Sequence, residues 1–318
     1  DFVLVRDTIP ANIDKHYDAN DNYNALLEGL YNCSYFVVDS KNYFDEIIKN
    51  PEIFAPNLEK GILDNRKKGR GVLIGTDRAN YNSNDCERIE FPYEFKNYKS
   101  EKLKNKLFVQ EYFQNPISNK KMLTDFENSI ILGSLKKDEN IPLFFSASRF
   151  DINQKGIDSL FLSVEVILKN FENVQFIIGG PNYIKNNFEI TEYFIKNVVN
   201  SPQYEGRIVL IDSFIPPFQY FAASDFFIMA SKFEPGGTSQ FQAMAFGCIP
   251  VVRNTGGLGE VVVDMNEDEL NANGYKSENS YYLSENPDFD LIKTIIRAIR
   301  GYRNDKLSIL IKNAMEYD

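Results

Sequence analysis

The chain has 318 residues, 43% of them hydrophobic and 25% charged, which predicts about two globular domains rather than disorder. Its net charge of −10 and pI near 4.9 argue against a broad nucleic-acid surface and leave room only for a local basic pocket. Cys33, Cys86 and Cys248 have no metal-ligand spacing and cannot all pair, which suits a reduced cytosolic setting, and a single histidine, His16, excludes a multi-histidine metal site.

No run approaches the ~18 apolar residues of a membrane helix, and no secretory leader is visible. The first residue is Asp1 rather than Met, so a fragment or processed form is expected. Residues 2–5 read as a strand. Residues 9–24 read as a polar loop, in which an exposed His16 is the simplest expectation. Leu26, Leu27, Leu30 and Tyr31 lie at helical spacing, residues 35–38 read as a strand, and residues 42–49 as a short amphipathic helix. Residues 76–140 are charged and loop-rich, with one helix over 99–113. Lys120-Lys121 and Lys136-Lys137 read as solvated faces.

A regular alternation follows. Strands are expected at 141–147, 174–178, 207–211, 226–230 and 249–252, with a short edge strand at 281–283. Helices are expected at 155–171, 183–200, 217–223, 291–300 and 307–315. A further short helix, capped by Thr238 or Ser239, runs through Ala245 and ends at Gly247. Strands alternating with helices indicate parallel βαβ units, and ligands then sit at the carboxyl ends of the strands. Asn254 to Gly257 opens another helix. Gly256 and Gly257 are expected to offer bare N–H groups as a phosphate cradle.

The block SKFEPGGTSQFQAMAFGCIPVVRNTGGLGE, residues 231–260, resembles the SRFEPCGLTQ…YAM..G..PVVRRTGGL block of bacterial glycogen and plant starch synthases. Residues 148–156, from Ser148-Arg149 to Gln154-Lys155-Gly156, resemble that family's SRL..QKG, with one residue more between Arg and Lys. Residues 24–49, 58–66 and 70–77 also resemble family segments, the last marking the crossing between two domains. The resemblance implies an α/β fold of the GT-B type. It implies a C-terminal Rossmann-like parallel-sheet domain at residues 76–318 and, at residues 1–75, the remainder of an N-terminal Rossmann domain.

The resemblance also implies roles. Arg149 and Lys155 would bind the donor diphosphate and offset its charge as the sugar leaves, electrostatic work that needs no metal and no cofactor. Glu234 would orient the donor sugar through its hydroxyls. Gly237, Thr238 and Ser239 would contact phosphate through backbone N–H groups. Gln242 stands where related transferases hold the ribose with an acid, eight positions after the glutamate. Gly256 and Gly257 would shape the nucleotide pocket. Gly236, Thr238 and Lys232 depart from the family's Cys, Leu and Arg, and leave the donor open. No Ser-His-Asp or Cys-His arrangement is credible with one histidine.

The implied function is glucosyl transfer from a nucleotide sugar, ADP-glucose for a bacterial-type synthase, to an α-1,4-glucan with retention. The implied partners are the nucleotide sugar and the glucan, with no nucleic acid and no membrane; the sequence does not fix the oligomeric state. This chain alone is expected to turn over weakly or not at all, because the other GT-B half supplies a glycine-rich loop and much of the acceptor site. Two alternatives stand beside it. One is a GT-B transferase with another donor sugar or a protein acceptor. The other is a non-catalytic nucleotide- or glucan-binding module, against which the retained Arg149, Lys155 and Glu234 argue.

Overall fold

The computed structural model describes residues 24–85, 87–181, 189–302 and 307–317. The strand expected at 2–5, His16 and Cys86 lie outside those residues. The described chain opens with α1 (Ala25–Asn32), β1 (Phe36–Val38), α2 (Lys41–Lys49), α3 (Pro51–Phe54), α4 (Glu59–Asn65) and β2 (Gly69–Gly71). β1 and β2 pair in parallel as a two-stranded sheet. Asn24 caps α1 by accepting from the Leu26 and Leu27 amides. Ile47, Phe54 and Ile62 form a small core of their own beneath these helices.

Helix α5 (Tyr98–Tyr112) then leads to β3 (Ile130–Leu135) and β4 (Leu143–Ala147). The alternation continues with α6 (Ile157–Asn170), β5 (Gln175–Gly180), α7 (Glu189–Phe194), β6 (Arg207–Asp212), α8 (Pro217–Ala223) and β7 (Phe226–Met229). It ends with α9 (Ser239–Ala245), β8 (Ile249–Val252), α10 (Gly256–Val261), β9 (Tyr275–Lys276), α11 (Pro287–Tyr302) and α12 (Leu307–Glu316). These strands form a seven-stranded sheet in the order β3-β6-β5-β4-β7-β8-β9. All neighbours are parallel except β3, which runs antiparallel to β6 at the edge.

The parallel strands carry side chains buried on both faces, as a sheet covered by helices requires. Phe144 lies between Phe176 of β5 and Phe226 of β7, with ring centroids 5.2 and 4.8 Å away. Stacked pairs of this kind contribute ~0.5–1.5 kcal/mol each beyond their buried area. A run of phenylalanines on adjacent strands therefore fixes which strands are neighbours.

Several sequence expectations change. The segment 281–283 is a single 3-10 turn, not a strand. The edge strand is Tyr275–Lys276 instead. The Tyr281 ring is engaged by two cations, Lys232 Nζ 4.5 Å and the Arg253 guanidinium 5.0 Å from its centroid, so its aromatic face is used for that packing rather than for a sheet. β3 was not expected at all. The helix expected from 155 starts at Ile157, two residues later. The helical stretch after 183 is described from Glu189 and finishes in a π-turn at Ile195–Val199.

Candidate functional site

The order β6-β5-β4-β7-β8 reverses its direction of winding between β4 and β7. Ligands of open α/β sheets bind in the crevice outside the carboxyl ends of the strands at such a point. The loops leaving that point are residues 148–156 after β4 and 230–238 after β7.

Gly156 brings the two loops together. Its φ of 62° is left-handed, and a Cβ there would lie 2.4 Å from the Ala230 carbonyl oxygen, so only glycine allows the approach. The Lys232 amide donates to the Gln154 carbonyl at 2.8 Å across the same seam. This places Lys155 Nζ 2.6 Å from Glu234 Oε2. Ser231 Oγ donates to the same carboxylate oxygen at 3.0 Å. The pair is mostly shielded, with the lysine side chain 20% and the glutamate 8% exposed.

A pocket of about 350 Å³ opens on this pair. Gln154, Lys155 and Glu234 line it with the loop Gly236–Gly237–Thr238–Ser239. The amides of Gly237, Thr238 and Ser239 donate to no protein group among the described residues. Thr238 occupies the N-cap position of α9, but its side chain makes no capping bond. Asp39 and Ile74, from the first 75 residues, close the pocket's other side.

The remaining expected site residues fall outside this lining. Arg149 is exposed, and its Nη2 donates to Gln154 Oε1 at 3.1 Å. It is tethered at the mouth by a residue that does line the pocket. Gln242 is partly exposed on α9 and does not line the pocket.

Gly256 and Gly257 do not present bare amides. The Gly256 amide donates to Glu46 Oε1 at 3.1 Å. The Gly257 amide donates to the Glu234 carbonyl at 3.0 Å. A Cβ on Gly257 would lie 1.9 Å from the Gly236 carbonyl oxygen, and one on Gly256 2.0 Å from that of Glu234. The glycine pair is thus a close-packed backing for the 234–236 loop rather than an open cradle.

A second network holds the two loops from behind, and the sequence gave no signal for it beyond the substitution at Lys232. Lys232 Nζ is 2.7 Å from Asp158 Oδ2 on α6. Burial pushes its pKa down, but the bond to Asp158 and that carboxylate's charge outweigh this and hold it above the ordinary lysine value. Arg253 is fully buried. It donates to the Ala230 carbonyl at 3.1 Å, to the Pro287 carbonyl at 2.6 Å and to Asp288 Oδ1 at 3.2 Å.

A doubly wound sheet with a lysine–glutamate pair at its switch point, closed by a segment from a second α/β unit, is the arrangement of a GT-B glycosyltransferase. Residues 128–285 match the family Glycosyl transferases group 1. The glycogen synthase of Alkaliphilus metalliredigens is 30% identical over 301 residues, covering 94% of this chain and 55% of that protein. The glycogen synthase of Mycoplasma mobile is 29% identical over 262 residues, 81% of this chain and 48% of that protein. Among solved structures, the catalytic domain of starch synthase IV from Arabidopsis thaliana, bound to ADP and acarbose, is similar with a TM-score of 0.71 at 23% identity. That match covers 94% of this chain and 55% of the plant one. The domain at residues 128–285 belongs to the group 1 glycosyl transferases, and the chain as a whole is a homologue of the glycogen synthases. It spans about half the length of the curated relatives it matches.

Proposed function

We propose that the protein transfers glucose from ADP-glucose to an α-1,4-glucan, with retention at the anomeric carbon and without a metal. The observation that carries this reading is the Lys155–Glu234 pair at 2.6 Å, set in a pocket that ends at the Gly237–Ser239 amides. A lysine ammonium has three donors. One is used by Glu234, and the others can reach phosphate oxygens of a leaving diphosphate. A carboxylate accepts hydroxyl hydrogen bonds and so suits the hexose. Arg149, a fork-shaped cation at the mouth, supplies bidentate phosphate contacts when it swings from Gln154. Acarbose and ADP bound to the plant starch synthase domain support a glucan acceptor and an adenine donor. A cytosolic setting and a domain division near Gly75 belong to the same proposal.

Calorimetry with ADP, UDP and GDP tests the donor. Binding preferential for ADP, lost in Arg149→Ala and Lys155→Ala, is expected. In the whole protein either variant should lose on the order of 100- to 1000-fold in turnover, and near-normal turnover would sink the assignment. A preference for UDP or GDP would favour a transferase with another donor. Gly236, whose missing side chain leaves room for Ile74 and Asp39, is the departure from the glycogen synthase pattern that keeps this second reading in play.

A further inference from the structure

We propose that Asp39 is a specificity-determining contact for the donor's sugar, accepting hexose hydroxyl hydrogen bonds across the pocket from Glu234. The inference rests on the glycosyltransferase reading and goes beyond it by dividing the pocket into a sugar part and a phosphate part.

Asp39 follows β1 and lines the same pocket as Lys155, Glu234 and Gly237. Its backbone carbonyl accepts from the Ile74 amide at 3.3 Å, so the two residues arrive as one ledge. Gly236 makes space for that ledge. A Cβ on Gly236 would lie 2.6 Å from Ile74 Cγ1 and 3.0 Å from Asp39 Cβ. Any side chain at residue 236 would push the ledge outward. The departure at Gly236 and the presence of an acid at Asp39 therefore describe one change in the wall.

Charge then decides what the ledge receives. Among the described residues the Asp39 carboxylate makes no hydrogen bond or ion pair. Its charge is felt by Tyr43, whose phenol is raised first by burial and then by Glu46 and Asp39. Lys155 is already committed to Glu234, so Asp39 leaves the pocket with one uncompensated negative charge. A carboxylate in that position repels a diphosphate and accepts from neutral hydroxyl donors. The diphosphate is then directed to the Gly237–Ser239 amides and Arg149, and the sugar lies between the two acids.

The test is calorimetry of the full-length protein with a nucleotide sugar and its bare nucleoside diphosphate, for wild type, Asp39→Ala and Asp39→Asn. Unliganded thermal melts of the three proteins run alongside. Loss of a hydrogen bond to a charged group corresponds to about tenfold or more in affinity. Asp39→Ala should weaken ADP-glucose by that factor and leave ADP within about twofold, with Asp39→Asn between them. Equal effects on both ligands, or no effect on either, would overturn the assignment while leaving the glycosyltransferase reading intact. Absence of binding by the wild-type protein to any nucleotide sugar or diphosphate would overturn both.

Discussion

Arg253 shows how much a single buried cation can hold together. Its guanidinium joins the end of β7, through the Ala230 carbonyl, to the start of α11, through Pro287 and Asp288. Burial pulls its pKa below the ordinary arginine value, opposed by the Asp288 charge. Removing one partner of a buried pair costs about 3–5 kcal/mol because the other is left uncompensated. Arg253→Met should therefore unfold at much lower urea, and Arg253→Lys should rescue little, because one ammonium cannot replace a fork. Gly257→Ala tests a different constraint. Its methyl group would meet the Gly236 carbonyl at 1.9 Å, so the 234–236 loop must move. Nucleotide binding should be lost with only a modest fall in melting temperature. Lys155 and Glu234 were legible in the sequence because they stand in two dense motif blocks. Arg253 stands in the same block, yet its type gives no hint of burial. Nothing local says that Pro287 and Asp288 return to meet it.

At the scale of elements, α2 and α10 cap each other. Glu46, in the last turn of α2, accepts from Thr255 Oγ1 at 3.1 Å and from the Gly256 amide. Glu260 of α10 accepts from the Asn42 amide at 3.1 Å at the start of α2. Each acid thus sits at the favourable end of the other helix's dipole. Burial nevertheless raises the Glu46 pKa, and the bonds to Gly256 and Thr255 only partly offset it. The folded state then binds the Glu46 proton more tightly than the unfolded state. This contribution to stability is full below about pH 4.5 and is lost as pH rises through the higher folded value. Glu46→Gln keeps an acceptor and cannot ionise. Its stability relative to wild type should improve as pH rises above 4.5 in a series of urea titrations, and a gap that closes instead would show that the charged cap outweighs burial. Neither helix's pairing was readable in advance, because caps supplied from more than 200 residues away leave no local spacing. Helix α5 misleads similarly. Lys102 is buried and donates to the carbonyls of Phe221, Ser224 and Phe246 at 3.0, 2.9 and 3.0 Å, whereas its sequence reads as a charged surface helix. β9 spans two residues, too few for any period to show.

For the molecule as a whole, the alternation of apolar strands and amphipathic helices carried the fold, and the winding order followed from the phenylalanine stacks only once the strands were assembled. No helix among the described residues is long and apolar enough to cross a membrane. A ligand that binds only the folded chain raises its stability by ~2.7 kcal/mol at 100 times its dissociation constant. A thermal melt with saturating ADP should therefore shift upward, and the shift should vanish in Lys155→Ala. The mutual capping of α2 and α10 has a mechanical consequence. The helix that backs the pocket loop is fastened to the first 75 residues by two charged bonds as well as to its own sheet. Any opening of the cleft must break both bonds together or drag α10 and the loop in front of it along. Closure of such a jaw is a choice between two positions rather than a graded motion.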